Sequence, residues 1–359
     1  MGAATVGAAD QKQDEQDPPQ GNPVIEFFKQ TEVSGLVDGY YLWNANEEPP
    51  RLRNFDVNHN SFSLSYAEIA FGKQVSETSR GGFRVDFGAG DTADMVNAFE
   101  PGGEGYLKYV QQAYVSYLAP AGSGLTIDFG KFVTPAGAEV IESKDNFNYS
   151  RGLLFSLAIP YYHTGLRVGY AVNDQVSVTG FLVNGWNNVV ENNDSKTVGV
   201  SLALKPTSKL GVTANYLVGD EFDEEDNGGT RNLVDVVVSY AATERFSVLG
   251  NVDYGTDSLE ELDGAWYGVA LGAKYQVSEA LAVAPRYEIF WDNDGFATGL
   301  PQTLQEMTMT AEYKAFGGLI TRVEFRTDFS DEDFFLKDGE PVSTQPTFSV
   351  ALIYGFSSK

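Results

Sequence analysis

Cysteine is missing from the 359 residues, and histidine occurs only twice, at His59 and His163. The first absence excludes disulfides, thiol catalysis and cysteine-ligated metals, and removes any cysteine-based sign of the redox compartment. The second leaves a histidine triad or a histidine metal centre almost nothing to be built from. Positive charge is scarce too. With 24 Lys and Arg against 50 Asp and Glu the formal charge is −26, so the surface repels phosphate, gives up counterion release and excludes nucleic acid as a partner. Long apolar runs are also lacking: no stretch reaches 18 residues, which rules out a helical membrane span. A transmembrane β-barrel stays open, because its strands need apolar residues only at alternate positions.

What is present is alternation. The first residues, MGAATVGAADQKQDEQDPPQGNP, are small, then polar, then proline-rich. We read 1–24 as a disordered lead in which Val6 and Ala8 resemble the end of a secretory signal, and 25–359 as a single barrel domain. From Thr31 onward the pattern has period two, the mark of strands with one apolar face. Sixteen such runs can be drawn, at 31–43, 61–72, 80–88, 108–119, 124–132, 163–172, 175–186, 196–205, 209–218, 231–241, 245–255, 264–276, 280–291, 303–314, 317–329 and 346–356. Most are 9 to 13 residues long, nearer to tilted membrane-crossing strands than to ordinary globular ones.

The connections alternate between long and short. Those at 44–60, 89–107, 133–162, 187–195, 219–230, 256–263, 292–302 and 330–345 are long, while the others are tight turns such as VNDQ and KPTSK. This predicts an all-β, sixteen-stranded antiparallel transmembrane barrel with both termini at the short-turn end, which in outer-membrane barrels faces the periplasm. Charge marks the same sidedness: the eight long connections carry −1, −4, −1, −2, −6, −4, −2 and −4, together −24 of the −26. Such loops suit a surface facing lipid and divalent-bridged lipopolysaccharide, although an acidic halophilic surface would account for part of the charge. Aromatic residues are expected to form two interfacial girdles, one holding Trp43, Phe132, Trp186, Tyr216, Tyr254, Trp291 and Phe329, the other Tyr117, Tyr170, Tyr240, Tyr275, Tyr313, Tyr354 and Phe356. The faces between them, such as Phe348-Val350-Leu352-Tyr354, carry no charge, while their alternates are polar or small, so an aqueous interior is expected.

One connection stands apart. TPAGAEVIESKDNFNYSRGLLFSLAIPYYHTG, residues 134–165, is too polar for a strand and too apolar for a free surface loop, so it is expected to fold inward, as a third outer loop covered by the lumen wall.

The stretches QAYVSYLAP (112–120), GKFVTPAGAE (130–139), NYSRGLLF (148–155) and IPYYHTGLRVGY (159–170) resemble the OmpL-like β-barrel porins of Gram-negative outer membranes. The resemblance is specific over those roughly sixty residues, and elsewhere rests on strand number and loop alternation. It implies a pore-forming protein of the cell outer membrane with a large third outer loop. The chain departs from the pattern at its end, where the terminal aromatic, Phe356, is followed by Ser357-Ser358-Lys359.

A porin does no covalent chemistry and filters with charged side chains at a constriction. Alternation places Arg84, Asp86, Asp128, Arg167, Arg286, Glu288, Arg322, Glu324 and Arg326 on the lumen side, and the third loop adds Glu139, Glu142 and Arg151. A basic wall facing an acidic loop would set a transverse field; self-neutralising pairs that stiffen the wall are the alternative. The expected function is passive diffusion of small hydrophilic solutes, with no cofactor and no catalysis, in a barrel that could trimerise. Asp91-Thr92-Ala93-Asp94, Asp223-Glu224-Glu225-Asp226 and Asp331-Glu332-Asp333 could hold divalent cations through hard oxygen ligands, or be solvated tips. Two other readings stand beside this one. The barrel could be a sheath or receptor for a partner protein, or an outer-membrane hydrolase using His59.

Overall fold

In a computed structural model the described residues are 27, 29–98, 105, 107–222, 229–259 and 262–359. The expected lead, 1–24, and the acidic run 223–226 lie outside them. Among the described residues sixteen strands close into one antiparallel barrel. They are β1 (Glu32–Asn44), β2 (Ser61–Lys73), β3 (Gly81–Ala89), β4 (Val110–Ala119), β5 (Leu125–Val133), β6 (Tyr162–Asn173), β7 (Val176–Val183), β8 (Thr197–Thr207), β9 (Leu210–Gly219), β10 (Thr230–Ala241), β11 (Phe246–Leu259), β12 (Leu262–Gln276), β13 (Leu281–Asp292), β14 (Gln302–Lys314), β15 (Leu319–Ser330) and β18 (Thr344–Ser357). A small hairpin of β16 (Phe335–Lys337) and β17 (Glu340–Val342) occupies the last long connection. Each strand pairs with its neighbour in sequence, and β18 closes on β1 with Tyr40 opposite Ala351 and Trp43 opposite Phe348. Closure leaves no open edge, the condition for placing strands in a bilayer.

Alternation sets the faces. On β14 Met307 and Met309 are more than half exposed while Glu306, Thr308 and Thr310 are buried; on β15 Val323 and Phe325 face out and Arg322, Glu324 and Arg326 face in. A chain with its apolar residues outside and its charges inside is built for lipid around it. Tyr117, Tyr240, Tyr275, Tyr313, Tyr354 and Phe356 are exposed towards the short-turn end, and Trp43, Tyr216 and Tyr254 towards the other.

Three sequence expectations need correction. Phe132 is fully buried, its ring among Tyr114, His163 and Phe181 inside the barrel. Phe132 lies four residues from lumen-facing Asp128 on β5, so period two itself points it inward, and both lie against Arg167; its place at the strand end is what suggests a girdle ring. Trp186 lies beyond the end of β7 and packs edge-on against the buried Trp266. The connection 256–263 is mostly ladder, with β11 paired through Leu259 to Leu262.

The interior is not water throughout. A buried apolar cluster fills its outer part, joining strand residues Leu36, Leu217, Leu233, Trp266, Phe290 and Leu304 to Phe55 of the first connection, to Ala93 and Val96 of helix α1 (Asp91–Val96), and to Leu153, Leu154 and Phe155 of helix α2 (Leu153–Leu157).

Candidate functional site

Residues 134–161 join β5 to β6 and make their contacts with inward side chains across the barrel. The chain leaves β5 through Pro135 and turns at Gly137, whose φ of +94° suits glycine. There it is held by β9, β10 and β11. Gly137 N–H donates to Asp235 at 3.1 Å, Ala138 N–H donates to Asn251 at 2.9 Å, and the Asn215 amide donates to the Pro135 carbonyl at 3.0 Å.

Further on it lies against β13, β14 and β15. Arg286 donates to the Glu139 carboxylate and to the Ser150 carbonyl, both at 2.6 Å. Arg322 donates to the carbonyls of Ser143, Asn146 and Asn148 at 2.6–2.8 Å, and Arg326 to that of Arg151 at 2.6 Å. Carboxylates take the opposite role: Glu324 accepts the N–H groups of Tyr149 and Ser150, and Glu288 that of Leu154. An irregular segment with no strand partner must satisfy its backbone groups elsewhere, and here the wall charges do it. The barrel wall acts as the segment's hydrogen-bonding partner. Tyr149 OH donates to Asp38 on β1 at 3.0 Å, and Trp266 donates to the Ala158 carbonyl at 3.2 Å. The single turn of α2 then ends, because Pro160 two residues beyond its cap cannot continue a helix.

The expected site residues fall into two groups on opposite sides of the lumen. Arg286, Glu288, Arg322, Glu324 and Arg326 lie under the segment, all nearly or fully buried. Glu306, Glu312 and Asp328 complete this network through Arg286, Arg322 and Arg326 respectively. Arg84 with Asp86 (2.6 Å) and Arg167 with Asp128 (2.9 Å) form two further pairs on β3, β5 and β6. Arg167 also stacks over Tyr114 and Phe132.

Two loop residues behave differently from the basic-wall, acidic-loop picture. Glu142 faces Glu68 and Asp86, not an arginine; its carboxyl is pushed up foremost by burial, with the charges of Asp145 and Asp86 adding to it. Arg151 is buried, its guanidinium donating to the carbonyls of Val140, Ile141 and Tyr149 and covering the Phe55 ring. It ties the segment to itself.

Sequence reasoning passed over Arg53, Asp56 and Asp328. Arg53, in the first connection, pairs with Asp56 and reaches Thr347 at 2.8 Å and Asp328 at 3.8 Å, a long-range contact with no local signature. Glu306, Glu312 and Lys274 were legible by the same alternation that gave Arg286.

The space left beside the segment is uneven. A cavity of about 630 Å³ opens at the short-turn end, reaching from Lys205, Thr207 and Lys209 past Ser239 and Ser247 to Phe147 and Leu249. Phe147 and Leu249 also line a narrower space of about 70 Å³, which continues to Glu139, Arg286 and Glu288.

Both histidines are engaged structurally. His163 is buried between the Gly185 carbonyl and the Thr134 hydroxyl, and His59 Nδ1 accepts the Asn44 N–H. Of the acidic tips, Asp91 takes hydrogen bonds from Tyr40 and Asn58, and Asp331 accepts the Thr303 N–H. Among the described residues no three acidic or histidine side chains converge as metal ligands.

Residues 30–356 match the family described as putative beta-barrel porin-2, OmpL-like. No match to a curated protein sequence was found. Solved structures share the fold: an anion-selective porin from Comamonas acidovorans (TM-score 0.65, 10% identity, covering 91% of this chain and 99% of that one), the trimer form of the Vibrio cholerae outer membrane protein OmpT (0.61, 13%, 91% and 99%), and the outer membrane channel DcaP of Acinetobacter baumannii (0.59, 12%, 91% and 97%).

Proposed function

Because this chain belongs to the OmpL-like beta-barrel porin-2 family of Gram-negative outer-membrane proteins, we propose that it is a passive diffusion channel for small hydrophilic solutes, narrowed by residues 134–162. The observation that carries this is the pair of adjoining spaces. A wide space of about 630 Å³ at the short-turn end adjoins a narrow one of about 70 Å³ between the segment and β11–β13, with Phe147 and Leu249 lining both. The wall beside the wide space is small and polar, with Thr179, Ser201, Thr213 and Ser247 partly open to water, as a route for hydrated solutes requires.

The segment suits a constriction because it is fastened on both sides. Its early residues bind β9–β11 and its later ones β13–β15, so it spans the lumen as a strap. A hydrolase has the least support, since the rings of His59 and His163 are already bonded to backbone and hydroxyl groups. An outer membrane protein of this fold is known in a trimer form, and a homotrimer in lipopolysaccharide-bearing membrane is the assembly we propose here.

The test is electrical. Purified, refolded protein added to a planar bilayer should give discrete, voltage-independent current steps; a folded, heat-modifiable barrel that inserts and gives none would leave the diffusion reading without support.

A further inference from the structure

Four ion pairs between barrel strands or within one share an unevenness that their zero net charge conceals, whereas the pairs under the segment are buried on both sides and the segment's own Lys144–Asp145 pair is at least partly exposed on both. In the Arg84–Asp86 pair the arginine side chain is 36% exposed and the aspartate 0%. Arg167 and Asp128 are 24% and 9% exposed, and Lys274 and Glu312 19% and 3%. The order repeats at the outer end with Arg231 and Asp257. In each pair the carboxylate is turned into the wall, where Gln112 donates to Asp86 and Ser116 to Asp128, both at 2.6 Å, and the cation is turned towards the lumen. Of the segment's acids, Glu139 is occupied by Arg286 and the Gly152 N–H and Asp145 by its neighbour Lys144 at 2.5 Å.

A solute in the lumen meets the exposed charge first. The buried partner is farther away, and its field is reduced by the cation in front of it. Walls of low dielectric strengthen the near charge, whereas the acidic outer loops act through open solvent and are screened within about 8–10 Å at ordinary salt. Arg84 and Arg167 also flank one ring: Tyr114 lies opposite Arg84 across the β3–β4 ladder and under the Arg167 guanidinium at 5.1 Å. A guanidinium whose outer face is free presents N–H donors suited to a carboxylate.

We propose that the inner wall at Arg84 and Arg167 is an anion site, and that the channel takes small organic carboxylates in preference to cations, despite a chain charge of −26. This rests on the diffusion-channel reading and adds the substrate class to it. Arg84 and Arg167 set the preference by meeting the solute, and Asp86 and Asp128 hold the guanidiniums in place.

The discriminating variant is one that changes no net charge. In R84Q/D86N/R167Q/D128N two cations and two anions are removed together, leaving no buried carboxylate without its partner. Reversal potentials are measured across planar bilayers in a tenfold gradient of potassium chloride and again of potassium acetate, with heat-shifted electrophoretic mobility confirming a folded barrel. The parent is expected to be anion-selective in both salts, and the variant's anion-to-cation permeability ratio to fall about threefold or more, since exposed charges and not summed charges dominate the field. R84K/R167K should keep the preference. A parent that conducts but prefers cations, or a variant that conducts with the parent's ratio, overturns the anion site and leaves the channel reading intact. Absence of current in the parent overturns the channel reading itself.

Discussion

Arg286 on β13 and Glu139 in the segment after β5 are 147 residues apart in sequence and meet at 2.6 Å. The same guanidinium touches Glu306 at 2.8 Å and lies 3.5 Å from Glu288, so one cation serves three carboxylates in a buried place. Removing one member of a buried ionic group typically costs about 3–5 kcal/mol, because the charges left behind lose their partner. Arg286→Met should therefore lower the unfolding temperature in detergent and expose the segment to protease. A variant as stable and as resistant as the parent would show that the contact contributes nothing.

Gly152 sits where the segment leaves no room for a side chain against the wall. A Cβ placed there would lie 1.8 Å from the Glu288 carboxylate oxygen, so Gly152→Ala must displace either the segment or Glu288. The expected cost is about 1–3 kcal/mol, the range for overpacking a filled site. Gly180, where an added Cβ meets nothing within 4 Å, is the matched control, and Gly180→Ala should leave the melting curve unchanged.

Glu142 gives a pH dependence of definite sign. Burial raises its carboxyl above the usual range, so the folded state favours the protonated form. That contribution to stability is complete below the unfolded pKa of about 4.3 and is lost as pH rises through the folded value. At pH 7.5 the parent pays for a charge facing Glu68 and Asp86; Glu142→Gln removes it. Hydrogen exchange in 139–150 should be slower in Glu142→Gln than in the parent at pH 7.5, with the difference closing as pH falls towards 4. Equal protection at pH 7.5 would mean that Glu142 is solvated and ionised at no cost.

Sidedness is open to labelling. Asp294 lies exposed in a long connection and Ser208 in a tight turn. A cysteine at Asp294 should react with an impermeant maleimide on whole cells, and one at Ser208 only after the outer membrane is opened. The opposite pattern would invert the topology.

Strands were legible in the sequence because each must turn apolar residues to lipid and polar ones inward, which writes period two into the chain. Residue type can mislead where alternation does not: Phe132 ends β5 and reads as a girdle ring, yet it shares its face with lumen-side Asp128 and lies under the Arg167 guanidinium. Trp186 was assigned to a strand that ends at Val183. The wall charges Arg286, Arg322 and Arg326 could be picked by residue type, but their partners could not: they bind carbonyls of Ser143, Asn146, Asn148, Ser150 and Arg151, and every residue offers a carbonyl. Arg151 shows the same limit from the other side, since a charged residue in a polar loop reads as a filter until its hydrogen bonds to Val140, Ile141 and Tyr149 are seen. Exposure within an ion pair, the feature separating Arg84 from Asp86, leaves no trace in sequence.

The central claim is that residues 134–162 narrow a diffusion channel, and single-channel conductance measures it most directly. A variant lacking Glu139 to Ser150 removes the contacts to Arg286 and Arg322 together with Phe147, the side chain shared by the wide and narrow spaces. In a planar bilayer, with a heat-shifted band confirming the folded barrel, it should conduct in larger steps than the parent. A folded variant whose steps equal the parent's would contradict the account and place the constriction elsewhere on the wall.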